Sequence, residues 1–224
     1  MNGNKALFLE AYCKQNGISY CRFDYRGHGT SCPDIFLDLT LTDWIQDTEH
    51  MLLNVVLKSH EKAILVGSSM GAWIALHVAL RHPGKVTGIV GVASGIDFTE
   101  SLYNSASGKQ KTDWKTTGFA HFPSQYEAEP FPISCNFIRD AQETWLLLDK
   151  SSIPITCPVR LLHGQNDNDV SWQVSMKLNN LLESNNVVLI LIKDGDHRLS
   201  RPQDLERMVA CLDELLTLNN ETRI

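Results

Sequence analysis

The pentapeptide Gly67-Ser68-Ser69-Met70-Gly71 constrains this chain more than any other feature. Before it stands a short apolar run, residues 63–66, and after it residues 72–81 carry a helical pattern ended by Pro83-Gly84. A strand that passes into a helix within one tight turn needs small residues two places before and two places after the central serine. Such a turn holds one hydroxyl out at the carboxyl end of the strand, where the helix N-terminus favours negative charge. This is the G-x-S-x-G nucleophile elbow, and its frame makes Ser69 the nucleophile, since Ser68 has no glycine two residues before it. The competing reading, a glycine-rich phosphate turn, lacks the lysine of a P-loop.

The same alternation runs through the chain. Residues 5–15 read as a helix with Leu7, Ala11 and Tyr12 on one face, closed by Asn16-Gly17. A short strand at 19–24 leads into the turn Arg26-Gly27-His28-Gly29. Residues 41–58 read as a second helix, with Trp44, Ile45, Met51, Leu52 and Val55 at core-facing spacings. Further apolar strands are expected at 86–92, 159–162 and 187–193, the last being the strongest, with helices at 171–182 and 205–216. Continuously apolar strands between amphipathic helices imply a mostly parallel sheet covered on both faces, so the fold class is α/β. Residues 98–153 break the rhythm. They show no clean strand, yet they hold half of the chain's aromatic residues, so they read as a packed lid inserted into a core made of 1–97 and 154–224. On pattern alone, that lid is either a satellite aromatic cluster or a cover beside a catalytic site.

Composition excludes several classes. Apolar residues at 43% and charged residues at 21% are those of a globular chain. The longest aliphatic run, 187–192, is far shorter than the about twenty residues of a membrane span. With Lys and Arg at 20 against Asp and Glu at 26, the net charge of −6 argues against nucleic acid as a partner. Residues 1–17 have no apolar stretch long enough for a secretory signal, and Glu10 with a first arginine at Arg22 argues against a transit peptide. The six cysteines (Cys13, Cys21, Cys32, Cys135, Cys157 and Cys211) are irregularly spaced, without a C-x-x-C pair, and read as reduced thiols. The expected location is cytoplasmic, and the sequon Asn220-Glu221-Thr222 carries little weight without a secretory signal.

A serine needs a base, and the base needs an acid to orient it. Strand 159–162 runs into His163-Gly164-Gln165-Asn166-Asp167-Asn168-Asp169, and strand 187–193 into Asp194-Gly195-Asp196-His197. Both candidates therefore follow the carboxyl ends of strands, where open α/β sheets place their sites. His197 is read as the base and Asp167 as the acid, with Asp169 not excluded by spacing alone. His50, His60, His77 and His82 lie in or beside helices and read as packing or solvated residues, while His121 in the lid stays open. A metal site of His163, Asp167 and His197 has no local H-x-x-x-H pair to support it, so no metal and no cofactor is expected.

With these residues in place the chain resembles the serine α/β-hydrolases. The resemblance is carried by Arg22-Phe23-Asp24-Tyr25-Arg26-Gly27-His28-Gly29, the elbow, His163-Gly164-x-x-Asp167-x-x-Val170 and Lys193-Asp194-Gly195-Asp196-His197-Arg198. It extends to Phe122-Pro123-Ser124-x-Tyr126 and Phe137-Ile138 in the lid. The likeness is greatest to the mitochondrial abhydrolase-domain acyl-protein thioesterases, also described as acyl-glucuronide esterases, and their bacterial relatives.

The resemblance implies a Ser69, Asp167 and His197 triad, the Met70 amide as an oxyanion donor, and hydrolysis of acyl thioesters or carboxylic esters. Phe119, Phe122 and Phe137 are expected to contact the acyl group of a small-molecule or acylated-protein substrate. In the family, further strands and the loop giving the other oxyanion N–H precede the segment that resembles residues 1–6. The first strands are therefore expected to be missing here, and a mitochondrial matrix location follows if a targeting front belongs to the chain. The rival expectation is a non-catalytic hydrolase-fold binding module.

Overall fold

The computed structural model describes residues 2–123 and 129–221. Ser124 and Tyr126 of the lid motif, and Thr222 of the sequon, lie outside the described residues. In chain order the elements begin α1 (Asn4–Gln15), α2 (Leu41–Asn54), β1 (Ala63–Ser68), α3 (Met70–Arg81) and β2 (Val86–Val92). There follow α4 (Phe98–Ser105), α5 (Gly108–Thr117), β3 (Phe119–Phe122), β4 (Phe131–Ser134) and α6 (Cys135–Thr144). The last are β5 (Val159–Gly164), α7 (Gln173–Leu181), β6 (Val187–Ile192) and α8 (Pro202–Glu221). The chain divides into two compact units.

The first unit comprises Met1–Phe23, Thr48–Ile96 and Leu148–Ile224. Its sheet is parallel throughout, in the order β1-β2-β5-β6. Strand alternation assigns the two faces. Val90 and Val92 of β2, Leu162 of β5 and Ile192 of β6 join Leu9 and Cys13 of α1 and Met208, Leu212 and Leu215 of α8 in one buried cluster. Each such side chain contributes about 1.5–3 kcal/mol by leaving water. Gly91, one residue out of phase, faces the other way, where a Cβ would meet Leu161 and Ala72 of α3. Helices thus cover both faces, as the apolar strands imply.

Three local expectations fail here. No strand forms at 19–24, although the residues there suit one, because an extended segment becomes a strand only through a ladder partner. In α1 the buried positions are Leu9 and Cys13, four apart, while Leu7 is 42% exposed and Ala11 also faces solvent. The helix docks by that narrower stripe. The second helix also stops at Asn54, followed by a 3-10 turn at Val56–Lys58, which leaves Val55 exposed instead of core-facing.

The second unit comprises Asp24–Asp47 and Asp97–Leu147. Contrary to the strandless reading of 98–153, β3 and β4 form an antiparallel pair in which Phe119 faces Ser134 and Phe122 faces Phe131. Four-residue strands are too short to display a period in sequence. Helix α5 enters through a capping box of Ser107 and Gln110 and leaves through Gly118 at φ +84°. Trp114 anchors it by donating its indole N–H to the Ile133 carbonyl at 2.9 Å. The buried Asp97 carboxylate accepts the Leu147 amide at 3.0 Å.

Candidate active site

Ser69 follows the last residue of β1 and precedes the first of α3, with φ +54° and ψ −124°. This is backbone that a side chain rarely adopts, and three hydrogen bonds hold it there. The Ser69 amide donates to Val92 at 2.8 Å, and its carbonyl accepts from Ala72 at 3.0 Å and Gly95 at 3.2 Å. The crowding of the turn falls on Gly67, where a Cβ would lie 2.3 Å from the Gly71 carbonyl oxygen. At Gly71 a Cβ would meet nothing within 4 Å, so only one of the two small residues expected on steric grounds is forced. Met70 opens α3, and its amide is one of the N–H groups that a helix cannot bond within itself.

The acid turn leaves β5 at Gly164. Asp167 lies inside it with its side chain fully buried. Its Oδ1 accepts the amides of Asp169 at 2.9 Å and Val170 at 2.8 Å. Its Oδ2 receives His197 Nδ1 at 2.7 Å and His163 Nε2 at 3.1 Å. Burial alone would raise its pKa, but hydrogen bonds from His163, His197 and the Val170 amide outweigh it and hold the carboxyl well below the usual carboxylate range. Asp169 is exposed and serves this turn through its backbone amide.

The base loop leaves β6 and bonds back to the acid turn, Asn166 N–H donating to the Gly195 carbonyl at 2.9 Å. Asp196 accepts the Leu199 amide at 2.9 Å, and Lys5 of α1 donates its ammonium to the Arg198 carbonyl. His197, its side chain 15% exposed, comes within 3.1 Å of Ser69 Oγ through Nε2. A carboxylate only accepts, so the proton sits on Nδ1, and Nε2 turns its lone pair to the serine hydroxyl. Ser69, His197 and Asp167, separated by 128 and 30 residues, therefore form one hydrogen-bonded line.

The family described as "Serine aminopeptidase, S33" matches residues 8–122. Mouse "Palmitoyl-protein thioesterase ABHD10, mitochondrial" is 37% identical over 217 residues, covering 96% of this chain and 71% of that protein. The chain belongs to the α/β-hydrolase family. Among solved structures, mouse alpha/beta hydrolase domain-containing protein 10 superimposes on this hydrolase with a TM-score of 0.85 at 36% identity, over 97% of this chain and 85% of that one. A hydrolase structure from Agrobacterium vitis gives 0.87 at 36% identity, over 96% of this chain and 83% of that one.

The other residues singled out in the hydrolase sequence have ordinary surroundings. Within the second unit Phe137 is buried, its ring centroid 5.3 Å from Trp44 and 6.0 Å from Phe98. There too Phe122 tilts on Trp114 at 5.5 Å, and Phe119 meets His121 edge-on at 5.5 Å. His82 bonds Glu49 at 2.7 Å. Asp167, Asp169 and His197 place one ligand atom each within 4.8 Å of one another. The oxygens of Asp167 already receive four N–H groups, however, and both His197 nitrogens are engaged.

Two neighbours of this line receive no catalytic part from the sequence, where His163 is weighed only as a motif residue and metal ligand and Gly95 is not named. His163 shares Asp167 Oδ2 with His197, a partnership carried by the H-G-x-x-D spacing. Gly95, in the loop after β2, lies where a Cβ would come within 3.3 Å of Ser69 Oγ and 3.5 Å of the Met70 nitrogen. Only its proximity in space marks it.

Proposed function

We propose that this hydrolase cleaves acyl thioesters or carboxylic esters through a serine acyl-enzyme. The observation that carries the reading is the continuous line Ser69 Oγ, His197 Nε2 at 3.1 Å, and His197 Nδ1 to Asp167 Oδ2 at 2.7 Å. His197 takes the Ser69 proton as the oxygen attacks the acyl carbonyl, and Asp167 stabilises the imidazolium that results. The Met70 amide donates to the oxyanion of the tetrahedral intermediate, aided by the helix end it opens. The thiol or alcohol departs with the proton from His197, and water, deprotonated by His197, then releases the acid and restores Ser69. No step calls for a cofactor. The relatives' names support an acylated protein as substrate, a palmitoyl-type chain as acyl group, and the mitochondrion as location in place of the cytoplasm.

The test is covalent labelling by a fluorophosphonate, with ester and thioester hydrolysis read in parallel on the chain and on Ser69→Ala. The expected result is labelling that vanishes in the variant together with turnover, a loss of about 10⁴-fold or more. Folded protein that neither labels nor hydrolyses would favour the binding-module reading, and an unchanged rate in Ser69→Ala would overturn the triad.

A further inference from the structure

His163 is wholly buried, yet it is neither packed as a hydrocarbon nor used in the steps above. Its Nδ1 lies 2.7 Å from Ser175 Oγ on α7, and its Nε2 lies 3.0 Å from the Val170 carbonyl and 3.1 Å from Asp167 Oδ2. A carbonyl and a carboxylate only accept, so Nε2 carries the hydrogen and shares it between them. Nδ1 is bonded to the buried Ser175 hydroxyl, which can donate to it. Both nitrogens are satisfied, and the ring is held from two sides.

On the serine-hydrolase reading, on which this rests, we propose that His163, backed by Ser175, is a positioning residue that fixes the Asp167 carboxylate so that it can orient His197. The terminal torsion of an aspartate is broad, so a carboxylate turns easily unless its oxygens are held. Two backbone amides hold Oδ1. Apart from His163, the bond on Oδ2 comes from His197, which is the group that Asp167 has to orient. His163 supplies a reference outside that pair. It stands on the end of β5, and Ser175 ties it to α7, so the plane of the carboxylate is set by rigid elements instead of by the base loop. The rival account is that His163 only staples the acid turn by satisfying Val170 and Ser175.

The two accounts separate on side-chain reach. In His163→Gln the amide N–H can stand near the Nε2 position and reach Asp167. In His163→Asn it stands near Nδ1 and reaches only Ser175. Both variants, with Ser175→Ala and His163→Leu, are measured for kcat and KM per fluorophosphonate-titrated site, for thermal melting, and by proton NMR of the His197 Nδ1–H resonance, while Ser69→Ala is measured for turnover per mole of protein. Positioning predicts that Asn and Leu lower kcat about a hundredfold with KM little changed, and that they broaden or lose the resonance. Gln keeps the resonance and most of kcat, and Ser175→Ala falls between. Equal kcat and equal resonances in Gln and Asn overturn the positioning role, whatever the leucine variant does, and a common fall in melting temperature would then mark the staple. The resonance reports without turnover. A Ser69→Ala variant that stays active overturns the hydrolase reading separately.

Discussion

Gly164 and Gly195 meet backbone to backbone. A Cβ on Gly164 would lie 2.2 Å from the Gly195 carbonyl oxygen, and one on Gly195 would lie 3.0 Å from the Gly164 Cα. The acid turn begins at the first glycine and the base loop passes through the second, so this contact sets the separation between Asp167 and His197. Since the obstacle is backbone, no side chain can swing aside to relieve it. Gly164→Ala is expected to cost about 2 kcal/mol or more, a fall of about 4–8 °C in melting temperature. Turnover should fall with it, and calorimetry beside a rate assay checks both.

The choice between two carboxylates is open to a direct comparison. Asp167 is buried and bonded to His197 at 2.7 Å, whereas Asp169 is exposed. Asp167→Asn should lower kcat by about 10⁴-fold, because an amide in that place favours the wrong tautomer of the base. Asp169→Asn keeps the backbone amide that Asp169 contributes and should change kcat only a few-fold. A larger loss at 169 than at 167 would reverse the assignment.

The carboxyl of Asp167 also ties stability to pH. Its folded-state pKa is lowered by its hydrogen bonds in spite of burial, so its contribution is full above the unfolded carboxylate value, near pH 4, and fades as pH falls below it. Urea unfolding of the chain and of Asp167→Asn should show the largest gap near neutrality. The gap should narrow progressively between about pH 4 and pH 2. A constant gap across that range would mean that the carboxylate's charge is not what stabilises the turn.

Gly95 leaves open the space beside the Ser69 hydroxyl. A Cβ there would crowd Ser69 Oγ at 3.3 Å and stand 3.5 Å from the Met70 nitrogen that is to hold the oxyanion. Gly95→Val should slow fluorophosphonate labelling by about one to two orders of magnitude without abolishing folding. Gly95→Ala should do so less. The labelling rate constant, followed by gel fluorescence, is the measurement.

The parts of the site that sequence disclosed are those fixed by local geometry. The elbow is a strand, a turn and a helix in succession, and its glycines must follow one another along the chain. Asp167 and His197 were legible because each follows an apolar strand, and strand ends gather on one edge of a parallel sheet. Partnerships across space were not legible. Ser175 lies twelve residues from His163 in a helix whose buried serine resembles any other polar position. The segment 19–24 has the residues of a strand, but pairing depends on a neighbour that its own sequence does not specify. The hairpin of β3 and β4 hid for a related reason, since two four-residue strands leave only their aromatic content as a signal.

The positive φ of Ser69 has a consequence for how this protein can be improved. Glycine reaches that region of backbone without the penalty that a Cβ incurs, about 1–3 kcal/mol. Selection for thermal tolerance alone, applied at position 69, would therefore drift toward a chain that melts later and lacks the proposed nucleophile. Any effort to harden this protein has to hold that residue out of the search, because there the most comfortable backbone and the hydroxyl proposed to act are mutually exclusive.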